Sequence, residues 1–196
     1  MKRIIVCVMM CAVMATGAFA QVEGKVRGGL DLGGCRPGGS GVGAGLCVDI
    51  PFGYNLRDNM NVGIKLGIAA MAKVDPMGET SDVAANVNFL ATYTYYFNSG
   101  TSPFAPFVGC GAGIYSLAAV SGGYDVLTVD AGNKFGGMLT AGFEIAKLRL
   151  AFQYNLVPSS GVTVTSSTIA PSNTSIKNSY LGFTIGFYIG GGKWKK

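Results

Sequence analysis

Residues 42–54 read Val-Gly-Ala-Gly-Leu-Cys-Val-Asp-Ile-Pro-Phe-Gly-Tyr, and they decide the fold because two kinds of residue alternate along them. The even positions carry Val, Ala, Leu, Val, Ile, Phe and Tyr, whereas the odd positions carry Gly, Gly, Cys, Asp, Pro and Gly. Successive side chains of a β-strand point to opposite faces of its sheet. This period of two therefore predicts a strand with one apolar face.

The same alternation recurs along the chain. Residues 60–73 and 83–97 repeat it, and their second faces are mostly polar. Five more strands are predicted at 22–33, 104–116, 135–145, 148–156 and 180–189. After the first twenty residues, no apolar run reaches the eighteen or so residues that a spanning helix needs, so a membrane would be crossed by strands. The predicted fold is all-β: a closed eight-stranded antiparallel up-and-down transmembrane β-barrel.

The predicted connections alternate in length. Short turns are predicted at 56–59, 98–103 and 146–147, and mostly longer loops at 35–41, 74–82, 117–134 and 157–178. Outer-membrane barrels have short turns on the periplasmic side and long loops outside. An interfacial girdle of aromatic residues is expected near the short-turn ends, formed by Tyr54, Tyr93, Tyr95, Phe97, Phe104 and Phe143.

The first twenty residues have the pattern of an export signal. Lys2 and Arg3 precede an apolar run over residues 4–13, and Ala18-Phe19-Ala20 supplies the small residues that a signal peptidase requires. A buried helix of a soluble protein is the alternative. We expect a signal peptide over 1–20, cleaved after Ala20, and one outer-membrane barrel domain over 21–196.

Composition excludes several classes of protein. Only 13% of the residues are charged, against about a quarter in soluble domains. Without the two basic residues of the signal, the net charge is about +3, too small to indicate a nucleic-acid partner. Cys35, Cys47 and Cys110 remain after cleavage, and their spacing indicates neither a disulfide framework nor a zinc site. A bridge between Cys35 and Cys47 requires a register that makes them neighbours.

The inward face is where a function inside the barrel would have to lie. Isolated buried charges cost several kcal/mol, so inward charges must pair or keep water. We expect a structural network of ion pairs, and the alternative is an ion-conducting or catalytic arrangement. The interior of an eight-stranded barrel is about filled by side chains, so a wide pore is not expected. The charged residues predicted to face inward are Glu23, Lys25, Arg27, Asp31, Asp49, Lys65, Glu144 and Arg149.

Catalysis and cofactor binding are not expected. The chain contains no histidine, which excludes Ser/His/Asp and Cys/His nucleophiles and any histidine metal site. Glu23 and Glu144 could form a general acid and base, but ion pairing with basic neighbours is the preferred interpretation. The glycine-rich segments 41–45 and 109–113 do not follow a strand into a helix, so they are not interpreted as phosphate-binding loops.

Two segments carry a family resemblance. They are Pro-Phe-Val-Gly-Cys-Gly-Ala-Gly at 106–113 and Tyr-Leu-Gly-Phe-Thr-Ile-Gly-Phe-Tyr at 180–188. With the eight alternating strands and the exported start, they make the chain resemble the small outer-membrane β-barrel domain family. This family includes barrels of the OmpA and OmpX type and porin-family or PorT-like proteins of Bacteroidetes-type bacteria. The resemblance covers nearly all of the chain after residue 20, and it implies a fold and a Gram-negative outer-membrane location.

Two functions follow as hypotheses. The first is an integral outer-membrane barrel with a structural or surface-interaction role, whose extracellular loops form the contact surface. The second is a narrow porin-like channel or transporter for small solutes or an apolar ligand. A soluble exported barrel that binds an apolar ligand is a third alternative. The expected partners are outer-membrane lipid, the barrel-insertion machinery and an unknown extracellular ligand, and we expect a monomer.

Overall fold

The computed structural model describes residues 22–38, 42–74, 81–97, 104–120, 132–166 and 169–191. Among these residues, eight long antiparallel strands close into a barrel, which confirms the predicted fold class. The expected signal peptide and its cleavage residues Ala18 and Ala20 lie outside the described residues. The strands are β1 (Val26–Pro37), β2 (Val42–Arg57), β3 (Met60–Val74), β4 (Ser81–Tyr96), β5 (Phe104–Val120), β6 (Asn133–Ile145), β7 (Leu148–Leu156), β8 (Ser160–Ser166), β9 (Ile169–Ile176) and β10 (Tyr180–Gly190).

Neighbouring barrel strands follow one another along the chain, except where β8 and β9 separate β7 from β10 and where β10 meets β1. The order around the barrel is β1-β10-β7-β6-β5-β4-β3-β2. The barrel closes where β1 pairs with β10, in a register that runs from Arg27 opposite Gly190 to Pro37 opposite Tyr180. All the hydrogen bonds of the wall are thus made between strands, and the wall has no open edge.

The sequence prediction missed one hairpin. β8 and β9 form a separate two-stranded sheet within the segment predicted as a loop over 157–178. Valine and threonine alternate at 162–165, as in a strand, but the surrounding run of serine and threonine favours a loop. The predicted long connection lies where it was expected, between two barrel strands, but the prediction did not include this hairpin.

The wall has an apolar outer face and an inner face that carries both polar and apolar side chains. Leu66, Phe89 and Ile185 are among many large apolar side chains that are exposed by between 37% and 74%. In contrast, Asn86, Asn88 and other polar side chains are buried inside. This is the reverse of a water-soluble protein, in which the apolar faces pack together. In the described part of the chain, no helix is long and apolar enough to span a membrane.

Aromatic side chains gather on the outer face near the short turns. We call this end of the barrel, where Arg57–Met60 and Ile145–Leu148 connect adjacent strands, the short-turn end. The rings of Tyr95 and Phe97 meet edge to face with centroids 5.4 Å apart. Those of Phe104 and Phe143 are 5.5 Å apart. The aromatic residues predicted for the girdle therefore lie at the predicted end.

The first strand differs from its prediction at both ends. β1 starts at Val26 instead of Val22, because residues 22–25 turn across the short-turn end. Gly24 has a φ of 77°, which glycine adopts readily, and its N–H donates to the Asn55 carbonyl at 2.8 Å. The Glu23 N–H donates to Asp58 Oδ1 at 2.9 Å. At its other end, β1 continues to Pro37, so Cys35 lies in a strand and not in a loop.

Candidate functional site in the barrel interior

The interior near the short-turn end is crossed by a buried ion-pair cluster. Glu144 on β6 lies directly opposite Arg149 on β7, and both point inward. Glu144 Oε1 lies 2.8 Å from Arg27 Nη2 and 3.8 Å from Arg149 Nη1. One carboxylate thus serves two guanidinium groups. Since the side chain of Glu144 is only 4% exposed, these pairs are made with little water around them.

Aromatic rings close this cluster into a belt. The guanidinium of Arg27 lies 4.1 Å from the ring centre of Tyr188, and that of Arg149 lies 4.0 Å from the ring centre of Phe107. Tyr96 and Phe107 have centroids 5.6 Å apart, and the Tyr96 hydroxyl donates to Glu144 Oε1 at 3.0 Å. Cations stacked on ring faces add attraction where water is excluded. We call this belt the plug layer; its members are Arg27, Tyr96, Phe107, Glu144, Arg149 and Tyr188.

A second polar cluster lies next to the plug layer. Lys65 Nζ lies 3.2 Å from Asp49 Oδ2 and donates to Gln153 Oε1 at 2.7 Å. Gln153 Nε2 in turn donates to Asp49 Oδ2 at 2.8 Å. The three side chains therefore form a closed triangle that joins β2, β3 and β7 across the interior. Because the amide uses its donor and its acceptor, it fixes the positions of both charged groups.

Asp31 lies between the two clusters. It is directly opposite Asp49 in the β1–β2 register, and its Oδ2 accepts a hydrogen bond from the Tyr188 hydroxyl at 3.4 Å. A cavity of about 30 Å³ is lined by Asp31, Thr140 and Arg149, among others. Within the described residues, each of these three has a buried polar atom without a hydrogen-bond partner. The cavity has room for about two water molecules, which would satisfy such atoms.

Gly186 makes room for Asp31, and this leads to a prediction. A Cβ atom at Gly186 would overlap Asp31 Oδ1 and lie 2.6 Å from its Cγ. We expect Gly186→Ala to destabilise the folded barrel by about 1 to 3 kcal/mol, because the carboxylate would have to leave its position. The measurement is urea unfolding of the protein in detergent micelles. Gly182→Ala, on the same strand and the same face, is the control, since its nearest neighbours are 3.8 Å away. Equal stability of the two variants would contradict the packing at Gly186.

The half of the interior toward the long loops is filled mainly by apolar side chains. Leu90 and Tyr115 are fully buried there, and Met138 and Tyr180 pack with them in one cluster. The Tyr115 hydroxyl donates to Asn155 Oδ1 at 2.9 Å, which satisfies the one polar atom of this large side chain. The barrel is therefore filled at two levels, by the plug layer near one end and by an apolar cluster near the other.

The structure brings together six of the eight charged residues predicted to face inward. Arg27, Glu144 and Arg149 belong to the plug layer, Asp49 and Lys65 to the triangle, and Asp31 lies between them. Glu23 and Lys25 are exposed and precede β1, so the interior position predicted for them is wrong. Their alternation with Val22 and Val26 looked like a strand, but the backbone turns at Gly24. A general acid and base formed by Glu23 and Glu144 is excluded by the same placement.

Other interior residues received no role in the sequence analysis. Gln153 and Thr184 alternate inward along β7 and β10, and they link the triangle to a further strand through a hydrogen bond of 3.3 Å. The hydroxyls of Tyr96 and Tyr188 form hydrogen bonds with Glu144, Arg149 and Asp31. Among the described residues, no group of three or more cysteine, aspartate or glutamate side chains is arranged to hold a metal ion.

Comparisons with known proteins agree with this geometry. No protein-family model and no curated protein matches the sequence. Among solved structures, the outer membrane protein OprG from Pseudomonas aeruginosa aligns with 87% of this chain and 98% of its own, at a TM-score of 0.61 and 11% identity. Neisserial surface protein A aligns with 85% of this chain and 99% of its own, at a TM-score of 0.57 and 17% identity. The chain therefore has the closed antiparallel β-barrel fold of small outer-membrane proteins.

Proposed function

We propose that the chain is an integral protein of the Gram-negative outer membrane with a structural or surface-interaction role. One observation carries this proposal: a continuous apolar outer face surrounds an interior that is filled by the plug layer and the apolar cluster. The outer face meets lipid, which offers no hydrogen bonds. A closed wall needs none from it, because its backbone groups pair between strands. The filled interior leaves the segments outside the lipid as the surface available for contacts.

The lengths of the connections give the orientation. The short turns lie in the periplasm, and the long connections lie outside the cell. The β8–β9 hairpin belongs to the outside set, because it lies between β7 and β10 on the long-loop side. Residues 158–176 include many serines and threonines and no charged residue. A contact surface made there would use hydroxyl groups and backbone edges and not ion pairs.

The proposed partners follow from the location. Outer-membrane lipid contacts the apolar face, and the barrel-insertion machinery delivers the chain to the membrane after export. An unknown extracellular ligand binds through the long connections. The protein acts as a monomer, without a nucleic-acid partner. The proposal includes no enzymatic step, since the chain has no histidine and the inward carboxylates Glu144 and Asp49 are bound to cationic side chains.

The location is tested by membrane fractionation and gel mobility. We expect the full chain, expressed in a Gram-negative host, in the outer-membrane fraction. Samples that are not heated in detergent are expected to migrate differently from heated samples, because a closed barrel resists unfolding by detergent. Recovery of the chain in the aqueous fraction after lysis without detergent would instead favour a soluble exported barrel.

The filled interior predicts that the protein does not conduct ions. We expect no steady single-channel conductance when the refolded protein is inserted into a planar bilayer, because two levels of packed side chains obstruct the path. An open porin in the same bilayer is the positive control for insertion and recording. Steady conductance of the unmodified protein would overturn this expectation.

The second candidate function is a narrow channel. It is favoured by the cavity next to the plug layer, which is lined by charged groups of both signs, Arg27, Asp31 and Lys65 among them. A channel through this cavity would show steady conductance that changes with Arg27→Gln or Lys65→Gln. The rim variant Glu23→Gln would leave such conductance nearly unchanged, because Glu23 is exposed outside the strands.

A further inference from the structure

Two buried cysteines lie side by side in the barrel wall. Cys35 is near the end of β1 and Cys47 is on β2, and both side chains point into the interior at 6% exposure. The register of these paired strands places Cys35 opposite Gly45 and Cys47 opposite Gly33. The two cysteines are thus diagonal neighbours on one face of two hydrogen-bonded strands. No side chain separates them at these positions, because both of the opposing residues are glycines.

The sulfur of Cys47 is also directed toward Cys35. Both cysteines are free thiols in this structure, and their side chains lie close enough to interact. Cys47 Sγ lies 3.8 Å from the position of a Cβ atom at Gly182, which pairs with Cys35 from the other side, on β10. The sulfur of Cys47 therefore leans from β2 over β1, toward Cys35. Cys110 is exposed on the outer face of β5, so it does not compete for either sulfur.

We propose that Cys35 and Cys47 form an intrachain disulfide bond in the exported protein. This proposal rests on the proposed export, since thiols are oxidised in the periplasm and kept reduced in the cytosol. The bond would tie β1 to β2 beside the connection that joins them, at the long-loop end of the barrel. It would lie within the apolar cluster formed by Met71, Leu90 and Tyr180, which shields it from reductants.

The oxidant is the disulfide of an exported thiol–disulfide oxidoreductase. One cysteine, after losing its proton, attacks that disulfide, forms a mixed disulfide and releases one thiolate of the oxidoreductase. The second cysteine then loses its proton and attacks the sulfur of the first, which forms the Cys35–Cys47 bond and releases the second thiolate. Two electrons and two protons pass to the oxidoreductase, which ends as a dithiol. Both thiols are buried in the closed barrel, so the exchange precedes closure.

Peptide mass spectrometry tests the bond directly. Arg36 precedes a proline, which prevents cleavage by trypsin, so the tryptic peptide 28–57 contains both cysteines and no other. The protein is taken from membranes, denatured in the presence of an alkylating reagent, and digested with or without prior reduction. We expect peptide 28–57 to carry no label without reduction, to be lighter by two hydrogen atoms than its reduced form, and to carry two labels after reduction. Two labels without reduction would overturn the proposal.

Variants and a second readout separate this proposal from the proposed location. Cys35→Ser is expected to leave Cys47 labelled without reduction, whereas Cys110→Ser is expected to leave peptide 28–57 unlabelled. Reduction is expected to lower the temperature of the gel-mobility change for the unmodified protein but not for Cys35→Ser. A labelled peptide in outer-membrane protein overturns the disulfide alone. An unlabelled peptide in aqueous-phase protein supports the disulfide and overturns the location.

Discussion

Replacing Glu144 by glutamine is expected to destabilise the folded barrel by about 3 to 5 kcal/mol. Glu144 is the carboxylate of the plug layer, and its removal leaves the guanidinium groups of Arg27 and Arg149 buried without that counter-charge. Glutamine keeps the size of the side chain and one hydrogen-bond acceptor, so the effect measures the charge and not a cavity. Urea unfolding of the refolded protein, followed by the fraction that resists detergent on a gel, gives the difference.

The exposed carboxylate of Glu23 provides the matched control for this change. Glu23→Gln removes the same charge at a position outside the strands, and we expect a change within about 0.5 kcal/mol. A second comparison combines Glu144→Gln with Arg27→Gln. Because this double variant removes one of the two guanidinium groups that Glu144→Gln leaves without a carboxylate, it should recover part of the stability. Equal effects of Glu144→Gln and Glu23→Gln would show that the plug layer does not hold its charges as described.

Leu66→Arg is expected to cost about 2 to 4 kcal/mol of folding free energy in a lipid bilayer. Leu66 lies near the middle of β3, with Ile50 and Phe89 opposite it on the neighbouring strands, and all three side chains face outward. An arginine at mid-depth on the lipid face would place a charge in hydrocarbon. The measurement is reversible urea unfolding from phospholipid vesicles, monitored by gel mobility and far-UV circular dichroism.

Asn86→Ser on the inner face is the comparison for this prediction. Asn86 is 1% exposed, and within the described residues its Nδ2 atom has no hydrogen-bond partner. Its replacement by a smaller polar side chain is therefore expected to be mild. If the barrel tolerated Leu66→Arg as well as Asn86→Ser, the outer face would not be in contact with lipid.

The period-two pattern explains how much of this fold could be predicted. In residues 42–54 it places Asp49 on the inner face and Ile50 on the outer face, and the structure agrees. It fails at residues 22–25, where the alternation continues but the backbone does not, because the positive φ at Gly24 turns the chain. Alternation carries no information about such a turn. The pattern also failed to predict β8 and β9, because their serine and threonine residues are typical of loops.

The same pattern does not predict which residues of the candidate site pair with each other. The pattern places Arg27 and Glu144 on one face, but it does not state the height of each residue along the barrel axis. That height depends on the stagger between strands, which is set when the barrel closes. The pairing of Arg27 with Glu144, and of Lys65 with Gln153, joins residues far apart in sequence on strands that are not neighbours. Only the closed geometry reveals these pairs.

The pairing of β1 with β10 has a kinetic consequence. Until the last strand reaches the first, both strands keep unpaired backbone groups, and Arg27 lies far from Glu144. No smaller set of strands has all its backbone groups paired, so we expect folding to be an all-or-none event. Because the contacts join residues far apart in sequence, we expect the pairing of β1 with β10 to be a slow step. A chain stalled before that step would expose two unpaired strand edges to neighbouring chains. Assembly therefore requires that the chain be delivered unfolded and bound to a chaperone.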